Sequence, residues 1–178
     1  GPALDRLFET SSLAWRRGLG RHRAPSRVLR AYRDGFRFAL RADFDRFFDR
    51  IEHAESEDRL NAYVADDRMV ALVMDWVRGG ANAAFAEKLP GGTGTLSLRG
   101  LPTGAPLSPL LGNLMLDRFD ELIESEHRRL VRYGDDFLVL CRTRAEAQAA
   151  YALASATAEQ LRLALNADEH PIHDFTEP

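Results

Sequence analysis

Apolar residues recur at helical spacing between Arg27 and Leu40, where Val28, Leu29, Tyr32 and Phe36 follow Pro25-Ser26. That period predicts an amphipathic helix opening near the proline. The next stretch, FALRADF, alternates more tightly and predicts a short strand ending at or near Asp43, after which DRFFDRIEH returns to helical spacing. Residues 56–65 and 67–78 predict two more helices, the second closed by Gly79-Gly80. Apolar residues on either side of PGGTG, within 83–100, predict a hairpin, and PLSPLLGNLMLDRFDELIESE predicts a long helix. Two short apolar runs, 130–133 and 137–141, flank Gly134-Asp135-Asp136 and predict a second hairpin with both aspartates at its tip. The alanine-rich stretch from Arg144 to Leu165 predicts a last helix. This order indicates an α+β domain: a small, largely antiparallel sheet with helices on one face.

Length and composition narrow the classes. At 178 residues, the chain is long enough for one core without disulfides or structural metal. Gly1-Pro2 reads as an expression scar and is set aside. No run approaches the roughly 18 apolar residues of a membrane span, and no signal peptide is evident, so a cytoplasmic location without membrane contact is expected. Cys141, the one cysteine, lies in an apolar run and is expected to be a core residue rather than a nucleophile. The net charge is −3, yet nine arginines and a single acid, Asp34, lie between Arg16 and Arg41. A basic stretch in a mildly acidic protein suits a polyanion. Arginine is also this chain's default cation, since Lys88 is the only lysine.

The chemistry concentrates in "RRLVRYGDDFLVLCR", where two adjacent acids interrupt an apolar run. Like charges that close need a cation to stay ionised. Asp43 ends another apolar strand, and if the two strands are neighbours the carboxylates of Asp43 and Asp135 converge as hard oxygen ligands suited to Mg²⁺. Two such ions support in-line phosphoryl displacement, the chemistry of nucleotidyl transfer. Between the two acids, Gly100, Gly104 and three prolines form a rigid turn feeding a helix, whose N-terminal amides suit a phosphate or a close-packed base.

"RADFDRFFDRIEH", "GLPTGAPLSPLLGNLMLD" and "VRYGDDFLVL", in that order, closely resemble motifs A, B and C of reverse transcriptases of the group II intron type. That lineage includes bacterial retron, diversity-generating and CRISPR-associated enzymes, the last often fused to an integrase. The upstream "SSLAWRRGLGR" is similar to the family's segment before motif A, and the resemblance spans residues 10–175. It implies a polymerase palm with an RRM- or ferredoxin-like core. Asp43 then stands for the motif A metal ligand, Phe44 for the position whose carbonyl completes the metal shell, Asp135 for the motif C ligand and Asp136 for its acidic neighbour. Phe48 stands where the family has an aromatic that blocks the ribose 2′-hydroxyl, while one of Phe47 and Phe48 is expected only to pack. Pro102, Thr103 and Gly104 take the place of "PQG", so a shorter hydroxyl replaces a glutamine at the nucleotide. Glu169 sits where "LNxDKTxI" has lysine, leaving His170 as a possible substitute in leaving-group protonation.

The implied organisation is an end of the fingers with a basic helix over 3–42 and a palm over 43–175, without a thumb. The implied function is RNA-directed DNA polymerisation, with Mg²⁺ or Mn²⁺ as cofactor and RNA template, DNA or RNA primer and dNTPs as partners. Arg16, Arg17, Arg21 and Arg23 are the expected nucleic-acid contacts. Two alternatives stay open: an RNA-dependent RNA polymerase palm, and an isolated palm, inactive alone, that acts with a fused or associated integrase.

Overall fold

The computed structural model describes residues 5–88, 98–102 and 104–176. Two compact units emerge, one formed by Gly1–Asp45 with Leu116–Pro178 and the other by Arg46–Met115. No described helix is long and apolar enough to cross a membrane.

The first unit is built on an antiparallel sheet. Helix α1 (Arg23–Arg33) leads into β1 (Phe38–Phe44), which pairs with β3 (Asp136–Cys141), itself paired with β2 (Arg129–Tyr133). On its other edge β1 pairs with the short strands β4 (Leu165–Asn166) and β5 (Ile172–Asp174). Helix α1 ends earlier than its apolar period suggests, because Gly35 takes φ +94°. The Gly35 N–H donates to Tyr32 and the Phe36 N–H to Ala31, a Schellman stop that frees the chain for β1. The helix expected over Arg144–Leu165 stops at Gln160, and β4 begins at Leu165 where that helix was expected to end. At its start that helix, α6 (Arg144–Gln160), carries a capping box between Thr143 and Glu146.

Alternation along the strands assigns the two faces. Phe44 and Phe137 point to one face, where they meet Phe119 with ring centroids 5.0–5.5 Å apart. Phe119 belongs to α5 (Ser108–Ile123). On the opposite face Ala39, Val131 and Leu140 pack with Leu13, Phe36 and Ala31 of α1. Helices therefore cover part of both faces, not one, because α1 has its own buried stripe to satisfy. The uncovered end of that second face carries Arg41, Asp43 and Asp136. Cys141 is fully buried, and burial pushes its thiol up to about 11, as befits a core residue.

The second unit is helical: α2 (Phe47–Arg50), α3 (His53–Tyr63), α4 (Asp67–Lys88) and the first half of α5. Helix α4 does not close at Gly79-Gly80 but continues to Lys88 through alanine-rich sequence. Gly80 serves packing instead, since a Cβ there would stand 2.5 Å from the Pro102 ring. The hairpin expected over 83–100 is thus helical to Lys88, and residues 89–97 lie outside the described residues.

Candidate active site

Strand register brings the three aspartates to one end of the sheet. The β1–β3 ladder runs from Phe38↔Cys141 to Ala42↔Phe137, so Asp43 and Asp136 follow directly at its end. Tyr133 pairs with Asp136, which leaves Gly134-Asp135 as a two-residue turn. Asp136 is accordingly the first residue of β3, and Asp135 alone of the two acids sits in the turn. Gly134 has φ +70°, the left-handed first position that tight hairpins favour.

The carboxylates differ in setting. Asp136 is exposed, whereas Asp43 and Asp135 are half-buried. The Asn166 amide donates to Asp43 Oδ2 at 3.4 Å across the β1–β4 pair. Burial pushes the Asp135 carboxyl above the ordinary aspartate range, and the negative charges of Asp136 and Asp43 push it further, with Arg132 opposing. This crowding of negative charge is what a divalent cation relieves. Among the described residues no three His, Cys, Asp or Glu side chains form a cluster able to hold a metal by themselves. A pair of carboxylates completed by water and substrate phosphate fits Mg²⁺ better than an all-protein cage. Phe44 commits its ring to the core, leaving its backbone as what it has to offer a metal shell.

Behind the turn lies a fully buried cation. Arg132 pairs with Asp120, also fully buried, through Nε and Nη2 at 2.7 and 2.6 Å. The sequence held a signal for it: in RLVRY the period of two puts Arg132 on the same face as Leu130, where a charge is out of place without a partner. Asn166, Ser12 and Trp15 lie in segments that the family resemblance covers, but nothing in their residue type singles them out.

In the second unit the two neighbouring phenylalanines separate in role. Phe47 is 1% exposed and packs, while Phe48 stays partly open, their ring centroids 5.1 Å apart. Gly112 admits both rings to α5, since a Cβ there would meet Phe47 and Phe48 at 3.1 and 3.2 Å. The Phe48 carbonyl accepts from Leu101 N–H at 2.8 Å, and the Ile51 carbonyl accepts from Gly100 N–H at 2.8 Å. His53 bonds the Gly100 carbonyl through Nε2 at 2.8 Å. Pro102 is buried, its carbonyl accepting from the Ser108 hydroxyl at 2.6 Å, and Gly104 turns outward at φ +81°. Thr103 lies outside the described residues.

Arg16 has an internal task rather than an outward one. Its side chain is only 9% exposed and donates to the Asp5 carboxylate at 2.8 Å and to the Asp5, Glu9 and Ser12 carbonyls. Arg17, Arg21 and Arg23 are exposed, as are Glu169 and His170.

Comparison with known proteins gives this arrangement a family. The model described as Reverse transcriptase (RNA-dependent DNA polymerase) matches residues 8–169. Over 127 residues the chain is 31% identical to the retrovirus-related Pol polyprotein from type-2 retrotransposable element R2DM of Drosophila melanogaster, a match covering 66% of this chain and 12% of that protein. It is 28% identical over 119 residues to an uncharacterized 91 kDa protein in the cob intron of Schizosaccharomyces pombe, covering 67% of this chain and 14% of that one. The chain thus spans a small part of these relatives' length. In fold it is similar to telomerase from Candida tropicalis in complex with a TWJ fragment of telomeric RNA, with a TM-score of 0.66 at 12% identity over 96% of this chain and 32% of that chain. Three ordered motifs, a sheet that gathers their acids and a match over residues 8–169 lead to one conclusion: the chain belongs to the reverse transcriptase family.

Proposed function

We propose that this chain is the palm of an RNA-directed DNA polymerase, which adds a deoxynucleotide to a primer 3′-hydroxyl and releases pyrophosphate. The observation that carries this reading is the register that brings Asp43, Asp135 and Asp136 to one open end of the sheet. The reverse transcriptase family generally uses divalent metals, and Asp43 and Asp135, with the Phe44 carbonyl, are the residues that would hold Mg²⁺ or Mn²⁺ here. Bound metal supplies a Lewis acid for the α-phosphate and a lowered pKa for the attacking hydroxyl.

The chain's own residues supply position and exclusion. Asp135 must be ionised to accept a cation, so cation binding weakens as pH falls through a value above the ordinary aspartate range. The Phe48 ring, partly open to solvent, is the residue the motif resemblance assigns to exclusion of a ribose 2′-hydroxyl, favouring deoxynucleotides. The motif B resemblance assigns contact with the nucleotide to Pro102, Thr103 and Gly104. Arg17, Arg21 and Arg23 contact template phosphates, an attraction that weakens with salt; Arg16 is withdrawn from that role by its internal bonds.

Primer extension on an RNA template with dNTPs or NTPs tests the reading. Metal-dependent incorporation of dNTPs that Asp43→Asn abolishes supports it. Equal use of NTPs by the parent chain would count against Phe48 as the selector, and incorporation that survives Asp43→Asn would overturn the metal assignment.

A further inference from the structure

Arg132 occupies an unusual place for a charge. It is fully buried, as is Asp120, and it projects from β2 on the same face as Leu130 and its cross-strand partner Phe137. Beyond its two-pronged bond to Asp120, Nη2 donates to the Ser12 hydroxyl at 3.0 Å and Nη1 to the Gly134 carbonyl at 2.8 Å. Its backbone is tied to the same upstream segment: its N–H donates to the Ser11 carbonyl at 3.0 Å, and its carbonyl accepts from the Leu13 N–H at 2.9 Å. Trp15 then lies against the turn, so close that a Cβ on Gly134 would stand 2.9 Å from the indole edge.

A buried ion pair is often no better for stability than two apolar side chains of similar volume. Stability alone therefore gives little reason for a guanidinium here. What no apolar side chain supplies is a donor for the Gly134 carbonyl, in the turn that carries Asp135. Only Gly134 and Asp135 make up that turn, so the Gly134 peptide sets the direction in which the Asp135 side chain leaves the backbone.

We propose that Arg132 is a positioning residue for the Asp135 carboxylate, itself held by Asp120 and Ser12, with Trp15 packed against the same turn. The assignment rests on reading Asp135 as a metal ligand. Segment 11–15 is then part of the scaffold of the metal site, not merely a lead into the first helix. Groups that orient a ligand in this way typically govern metal affinity without touching the metal.

The test uses the whole chain with Mn²⁺ as probe, read by electron paramagnetic resonance, together with amide hydrogen exchange of the turn in the absence of metal. Arg132→Met combined with Asp120→Leu replaces the ion pair with an apolar pair. That double variant is expected to melt near the parent temperature, to exchange its turn amides faster and to bind Mn²⁺ roughly 10–100-fold more weakly. Arg132→Lys, which keeps the charge and loses the fork, is expected to fall between the two. Parent-like Mn²⁺ affinity with parent-like exchange in the double variant overturns the proposal.

Should the double variant not fold, Ser12→Ala decides. Loss of that hydroxyl is expected to weaken Mn²⁺ binding by roughly two- to ten-fold, the worth of one hydrogen bond; unchanged binding and exchange overturn the proposal. Asp135→Asn in the parent keeps the two questions apart. If it leaves Mn²⁺ binding intact, the metal reading fails, and turn exchange alone then judges Arg132.

Discussion

Asp135 sits in a two-residue turn between paired strands, whereas Phe48 sits on a four-residue helix held by bonds from the Gly100–Pro102 loop. The first kind of placement is set by register, because a slip of one residue would turn every side chain in the strand to the other face. The second depends on local fits: a loop N–H to the Phe48 carbonyl, and a glycine in α5 that admits the ring. In the first unit a functional side chain moves only if the sheet re-pairs or its buried Arg132 support is lost. In the second, a single added methyl group is enough to press on the residue.

The largest expected effects fall on the acids at the end of the sheet. Asp135→Asn or Asp43→Asn is expected to lower primer extension by at least about 10²–10³-fold while leaving the melting temperature near that of the parent. Activity within tenfold of the parent would remove that residue from the metal site. Next come the adjacent aromatics, which sharpen the contrast within the second unit. Phe47→Ala is expected to destabilise by about 3–5 kcal/mol in denaturant titration. Phe48→Ala should cost much less stability and instead reduce the preference for dNTPs over NTPs. Exchanged phenotypes would mean that the wrong ring has been assigned to the sugar.

Gly134→Ala probes the turn itself. It forces a side chain into positive φ and against Trp15, with an expected loss of about 1–3 kcal/mol, partly relieved by Trp15→Ala. No relief would show that the backbone conformation, not the indole, dominates the cost.

The smallest effect concerns Asp117, 4% exposed, whose Oδ1 has no hydrogen-bond partner among the described residues. Burial, and then the charges of Asp120, Glu121 and Glu9, push its carboxyl up to about 6. Because the folded state holds this proton more tightly, its contribution to stability is present below the ordinary aspartate range and is lost as pH rises through about 6. Asp117→Asn is therefore expected to stabilise the fold by ~1–2 kcal/mol at neutral pH, the gain shrinking toward pH 4. A pH-independent gain would contradict the buried charge as its cause.

How much of this was legible in the sequence follows the same division. The strand FALRADF and the GDD hairpin were readable because alternation and a Gly-Asp turn are local signals, and pairing the two strands then places Asp43 beside Asp136. The apolar period runs past the end of α1 because it does not register Gly35, whose positive φ stops the helix. Gly79-Gly80 erred in the opposite sense: Gly80 looked like a helix stop and is a close contact with Pro102. Strands β4 and β5 are not legible in the sequence, since two or three residues carry no periodicity, and they form on the edge that β1 offers. Arg16 illustrates a limit of charge counting, as its guanidinium is consumed by nearby carbonyls and Asp5. Ser12 meets Arg132, and Trp15 meets Gly134 of the hairpin turn, across about 120 residues of chain, and no local pattern encodes those meetings.

The central claim is that Asp43 and Asp135 share a divalent metal at the open end of the sheet. A crystal structure with Mn²⁺ and a dNTP tests it most directly through the anomalous signal of the metal. The expected result is a peak within about 2.0–2.3 Å of an oxygen from each carboxylate, with the dNTP phosphates completing the shell. A peak elsewhere, or carboxylates turned apart beyond the reach of one shared ion, would contradict it.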